Sequence, residues 1–178
     1  QELGRHDTKN LKNPFHLLEQ MEAGYPWPVQ DNVDFVRQLE DIDKQVSPLV
    51  ELHPNLMDAF DAVIGGSYKV VKGKGLYYQP KGSGQPRLSM SESSSSVRAL
   101  LDIGFYLRCR AKPGDLLVID EPELNLHPVN QRALARLVAR LVNHGILVFM
   151  TTHSDYIVKE LNTLIMLHPA TPHHLAMR

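Results

Sequence analysis

Asp120 and Glu121 are two adjacent carboxylates set between the apolar run Leu116-Leu117-Val118-Ile119 and Pro122. Four apolar residues following the Pro113–Gly114 turn read as a strand buried on both faces of a parallel sheet. Such a sheet opens its ligand crevice at the carboxyl ends of its strands, so both carboxylates belong at a site rather than in a core. Asp120, closing the strand, can hold a magnesium ion directly or through water. Glu121 points elsewhere and can orient and deprotonate an attacking water. A simple acidic turn before a helix needs the same residue types, but not the whole pattern of apolar run, Asp-Glu-Pro and helix.

The elements that would position these carboxylates follow at once. Pro128 suits the first turn of a helix running to about Asn143, with Leu134, Leu137, Val138 and Leu141 on its inner face and His144-Gly145 ending it. Ile146 to Met150 is a second continuous apolar run, so strand, helix and strand predict a right-handed parallel crossover. Thr151-Thr152-His153-Ser154-Asp155 closes that strand beside the first. An imidazole in this position can donate to a phosphate oxygen or help orient water. Tyr156 to Leu161 reads as a helix and Thr163 to Leu167 as a third strand of the sheet.

Upstream, Ser91-Glu92-Ser93-Ser94-Ser95-Ser96 stands directly before the helical apolar face Val97, Leu100, Leu101, Gly104, Phe105 and Leu107. Backbone N–H groups and hydroxyls at such a helix start can receive a phosphate, and one serine capping the helix is the plainer use of the same residues.

The stretch Leu116 to Pro128, ending Glu123-Leu124-Asn125-Leu126-His127-Pro128, resembles the Walker B region of ABC-type P-loop ATPases. Its Leu-His-Pro ending is most similar to the soluble SMC-like, RecF-like and OLD-like branch, where AAA-type and phage-defence ATPases also fall. The resemblance implies Asp120 as magnesium ligand, Glu121 as catalytic carboxylate and His153 as switch histidine. It makes the serine run a variant of the signature, with Ser93, Ser94 and Ser96 as the phosphate contacts. ATP and Mg2+ are then the expected ligands, and the expected partner is a second subunit closing an ATP sandwich. Nucleic acid or a nuclease effector would be the further partner.

Composition agrees with one globular domain: with 178 residues, 43% hydrophobic and 22% charged, disorder is not the default. A net charge of −1 gives no overall drive toward nucleic acid. The single cysteine, Cys109, excludes an internal disulfide and a cysteine metal cluster, and fits a reducing cytoplasm. No apolar stretch is long enough to span a membrane.

The expected fold is α/β, a parallel sheet with flanking helices, preceded by a helical region and a β-hairpin. Residues 1–30 read as irregular apart from a short helical stretch at Phe15 to Met21, and 31–86 as the helical region and hairpin. Residues 87–167 form the ATPase core half, and 168–178 a tail. Within 31–86, a helix runs from Asn32 to Val46 and another carries Leu56, Phe60, Val63 and Ile64 up to Gly65-Gly66. Ser67 to Val71 and Leu76 to Gln79 make the hairpin. Its lysines protect a sheet edge, or else present charge to a phosphate backbone with Tyr77 and Tyr78 stacking on bases.

No Gly-rich loop ending in Gly-Lys-Ser or Gly-Lys-Thr occurs in the chain, and Gly73-Lys74-Gly75 lacks the hydroxyl and spacing. The chain therefore reads as the C-terminal half of such an ATPase domain, expected to hydrolyse little ATP alone. The alternative is a non-hydrolytic interaction module derived from such an ATPase. A nuclease is a weaker reading, because a third acidic ligand at suitable spacing is missing.

Overall fold

The computed structural model describes residues 38–39, 41–72, 75–82 and 84–167. The chain divides into the units Gln1–Gln38 and Leu39–Arg178, and every element below lies in the second. The helical stretch at Phe15 to Met21, residues 32–37 and 40 of the helix expected from Asn32, Gly73-Lys74 and the tail lie outside the described residues.

Ser47 caps a short helix, α1 (Pro48–Leu52), by accepting from the Val50 N–H, and its own hydroxyl donates to the Leu107 carbonyl at 2.6 Å. Helix α2 (Asn55–Ile64) buries Leu56, Phe60, Val63 and Ile64 and ends at Gly65, whose φ of 72° is the left-handed cap that glycine adopts without strain. Strands β1 (Gly66–Val71) and β2 (Gly75–Pro80) pair antiparallel as expected, with Tyr68 opposite Tyr78. A two-residue strand, β3 (Leu88–Ser89), adds to β2, so the hairpin sheet reaches past the expected boundary at residue 87. Gly66 has no room for a side chain, since a Cβ there would meet the Gln79 carbonyl and the Tyr78 ring.

Tyr78 is buried, with its hydroxyl donating to the Ile64 carbonyl at 2.8 Å. It cannot stack on a base, which removes half of the aromatic pair that the nucleic-acid reading of the hairpin needed. Tyr68 is buried beside it and donates to the Val97 carbonyl.

The helix expected after the serines is interrupted. Helix α3 (Ser95–Ala99) stops at Leu100, and α4 (Leu101–Cys109) continues from it, burying Gly104, Phe105 and Leu107. Strand β4 (Leu116–Ile119), helix α5 (Pro128–Asn143) and strand β5 (Leu147–Met150) then form the parallel crossover, in register from Leu116 opposite Leu147 to Ile119 opposite Met150. Helix α5 packs against β5 and α2, so the helical region and the crossover share a core.

Two expectations fail here. Burial of the strands is one-sided: Ile119 is buried, whereas Leu116, Val118, Leu147 and Phe149 on the opposite face are 62–64% exposed. The alternation of strand side chains sends every second residue to a face that no described element covers. Second, residues 163–167 are not a strand but the last turns of α6 (Asp155–Leu167). No glycine or proline interrupts the helix begun at Ser154, and the Thr163 hydroxyl donates to the Lys159 carbonyl four residues back. A short apolar run has no period of its own to resist helix propagation. Among the described residues, no helix is long and apolar enough to cross a membrane.

Candidate functional site

The carboxyl ends of β4 and β5 lie side by side, and the loops leaving them are laced together. The Thr151 N–H donates to the Ile119 carbonyl at 3.0 Å, extending the ladder by one rung. The Thr151 hydroxyl donates to Asp120 Oδ1 and accepts from the Glu121 N–H at 3.1 Å. Glu121 has a φ of 42°, left-handed for a residue with a side chain. Pro122 follows, and the turn closes with Leu124 N–H on the Glu121 carbonyl and Leu126 N–H on the Glu123 carbonyl. Asn125, at φ 66°, makes the second left-handed step, one that asparagine tolerates. His127 then caps α5 through Nδ1, with Pro128 in the first turn.

This backbone brings the His153 Nε2 to 3.1 Å from Glu121 Oε1. The imidazole is 87% exposed and the glutamate 35% exposed, so the pair is open to a ligand and worth little to stability. Asp120 is exposed beside them. Asp120, Glu121 and His153 thus form one cluster.

The serines form a separate one. Ser93 is buried and its hydroxyl donates to the Met90 carbonyl at 2.7 Å, while the Arg98 guanidinium donates to the carbonyls of Ser93 and Met90. Ser94 is exposed, caps α3 by accepting from the Val97 N–H, and lies 2.8 Å from the Ser96 hydroxyl. Ser93 therefore holds the turn that presents Ser94 and Ser96. Two bonds from Ser89 hold the Glu92 carboxyl below the usual carboxylate range and close the same turn.

Sequence reasoning gave Glu123 no role, yet it is the most engaged carboxylate here. It is buried, and its Oε1 accepts from the Thr152 hydroxyl at 2.7 Å and the His153 N–H at 2.6 Å. Burial alone would push its carboxyl up; the Thr152 hydroxyl and the backbone N–H groups around it, that of His153 bonded directly, outweigh that and hold it low. The signal was present in Thr151-Thr152-His153-Ser154, a run of donors at the end of a strand that must find acceptors. Ser154 caps α6, accepting from the Ile157 N–H and donating to Gln131 Oε1 of α5. Arg132 and Arg136 both reach Glu160 of α6, at 2.8 and 2.6 Å, clamping the two helices.

A protein-family model described as an AAA domain, putative AbiEii toxin, Type IV TA system, matches residues 7–159. The chain belongs to this AAA-domain family. Its parallel strands and flanking helices are those of a P-loop ATPase. No curated protein matches this AAA-domain chain. Similar solved structures come from work on SMC proteins. One, from work on ATP-driven dimerization and DNA-stimulated activation of SMC ATPases, is 20% identical over 72% of this chain and 76% of that one, with TM-score 0.47. A second is an SMC head bound to the C-terminal winged-helix domain of ScpA, 18% identical over 75% and 40%, TM-score 0.46. A third is an SMC head with an extended coiled coil bound to the C-terminal domain of ScpA, derived from Pyrococcus furiosus, 18% identical over 71% and 31%, TM-score 0.43. The AAA-domain chain thus spans less than half of the second and third.

Among the described residues no group of three His, Cys, Asp or Glu converges to cage a metal. The donor set still suits Mg2+, which takes one or two carboxylates and completes its shell with water and substrate phosphates. Exposed Asp120, steadied by the Thr151 hydroxyl, offers a carboxylate of that kind.

Proposed function

We infer that this chain supplies the water-activating and signature elements of an ATP-hydrolysing P-loop ATPase. The observation that carries the reading is Glu121 Oε1 held 3.1 Å from His153 Nε2 at the ends of two parallel strands. Glu121 accepts the proton of the attacking water as its oxygen adds to the γ-phosphorus and the bond to the β,γ-bridging oxygen breaks. His153 steadies the Glu121 carboxylate and donates toward the oxygens on which charge gathers. Bound through Asp120, Mg2+ would neutralise charge on the phosphates. Ser94 and Ser96 serve as the signature, acting on nucleotide held by a second subunit, so that ATP binding closes a homodimer and hydrolysis reopens it. Such a cycle would gate a nucleic-acid or effector partner, including one in phage defence. The buried single thiol of Cys109 favours a cytoplasmic setting.

The test compares Glu121→Gln with Ser94→Arg in the natural protein. Glu121→Gln keeps shape and hydrogen bonding but cannot take a proton. Turnover should fall on the order of a hundredfold or more, as for loss of a positioned general base, with nucleotide binding kept and ATP-dependent dimers accumulating. Ser94→Arg should instead prevent dimers while the monomer still binds nucleotide. Size-exclusion chromatography with and without ATP separates the two, and unchanged dimerisation in Ser94→Arg would refute the signature assignment.

A further inference from the structure

The turn between β4 and α5 carries a carboxylate that the hydrolytic reading leaves unused. Glu123 is 9% exposed and engages the β5 loop with one oxygen. That oxygen, Oε1, accepts from the Thr152 hydroxyl and the His153 backbone N–H, and the Thr152 hydroxyl in turn accepts from the Ser154 N–H at 3.0 Å. Residues 152–154 therefore hang from a single atom, directly or through one hydroxyl. The His153 imidazole reaches outward from this anchored backbone to Glu121. The other oxygen, Oε2, is buried with no hydrogen-bond partner among the described residues. What the site takes from Glu123 is thus an acceptor oxygen at a fixed distance from Cα, which an amide also supplies, at some cost in stability for the NH2 buried in place of Oε2.

We propose that Glu123 is the positioning residue of this site, fixing the backbone of Thr152 and His153 through Oε1 and so aiming the His153 imidazole at Glu121. The assignment rests on the hydrolytic reading for its consequence, though not for its geometry. It predicts an inverted order of substitutions. A general base or metal ligand tolerates Asp and fails as Gln. A positioning acceptor tolerates Gln, which keeps the reach, and fails as Asp, which is one methylene short.

Wild type, Glu123→Gln, Glu123→Asp and Glu123→Ala are compared by two measurements. The first, on the 178-residue chain without nucleotide, follows exchange of the His153 amide and the proximity of its ring to Glu121 by NMR. Exchange should stay near wild type in Glu123→Gln and become on the order of tenfold faster in Glu123→Asp and Glu123→Ala, where the ring should also swing away from Glu121. The second follows ATP turnover of the natural protein. Here kcat should fall on the order of a hundredfold in the Asp and Ala variants, as for a reacting group misplaced by about an ångström, while KM barely moves and Gln stays close to wild type. Asp active with Gln inactive overturns the proposal, as does a His153 amide unaffected by Ala. If Ala unfolds the chain, the Gln and Asp pair decides. A natural protein whose turnover ignores Glu121→Gln refutes the hydrolytic reading instead, and the exchange measurement still decides what Glu123 holds.

Discussion

The left-handed backbone of Glu121 makes an opposition between stability and chemistry measurable. An L-residue in that region gives up about 1–2 kcal/mol to the clash between its Cβ and the backbone, and Glu121 sits there at φ 42°. Glycine carries no such penalty, but it has more unfolded-state entropy to lose, about 0.4–1 kcal/mol relative to alanine. The comparison that isolates the backbone is therefore Glu121→Gly against Glu121→Ala. Both remove the pairing with His153, which is solvent-exposed and cancels. Both keep the Glu121 N–H bond to Thr151, which belongs to the main chain. Subtracting the entropy from the strain leaves Gly more stable than Ala by about 0.5–1 kcal/mol, or about 1–4 °C in Tm for a chain of this size. In a helix interior the same pair runs the other way by about 1 kcal/mol. Urea and thermal melts followed by circular dichroism read the difference, and turnover of the natural protein should fall on the order of a hundredfold or more in both variants. An alanine variant as stable as the glycine variant would refute the claim that strain is stored under the carboxylate.

Two further outcomes follow from the packing. A Cβ on Gly104 would lie 2.7–2.8 Å from the Phe60 and Tyr68 rings, both buried, so Gly104→Ala should destabilise. Overpacking costs about 1–3 kcal/mol against about 1 kcal/mol of helix propensity gained, for a net loss of about 1 kcal/mol. Phe60→Leu in the same chain should recover part of it in a urea double-mutant cycle. His144 stacks on His53 at 3.7 Å between ring centroids, and burial together with the neighbouring imidazole lowers its pKa from 6.5. The unfolded chain then binds the proton more readily than the folded one, so stability is full above pH 6.5 and falls as pH drops from there toward the folded value. His144→Asn should flatten that slope in urea midpoints taken between pH 7 and pH 5.

The parts legible in the sequence were those where one strong local rule acts alone. Apolar runs ending in Asp-Glu-Pro and Thr-Thr-His placed β4, β5 and the cluster of Asp120, Glu121 and His153. Gly65 and Pro128 marked helix ends through their own backbone limits. The parts that were not legible depend on partners distant in the chain. Glu123 is two residues from Glu121, but its importance comes from donors 29 and 30 residues on. Ser93 and Ser94 are adjacent and alike, yet one turns inward to Met90 and the other outward, a difference set by the tertiary turn. Residues 163–167 misled because Leu-Ile-Met-Leu satisfies a strand and a helix equally until Asp155 to Leu161 has already begun to wind.

The hairpin has an evolutionary consequence through Tyr68. Its hydroxyl holds the Val97 carbonyl inside α3, its carbonyl receives the Arg108 guanidinium, and its ring stacks on Phe105. Neighbouring Lys69 faces solvent. Along one short strand, alternate positions therefore answer to different selective pressures: one parity is tied to the helix that presents Ser94 and Ser96, and the other can drift or adapt to whatever it meets. Lineages can change Lys69 without disturbing the serines, whereas a change at Tyr68 would reach them through α3.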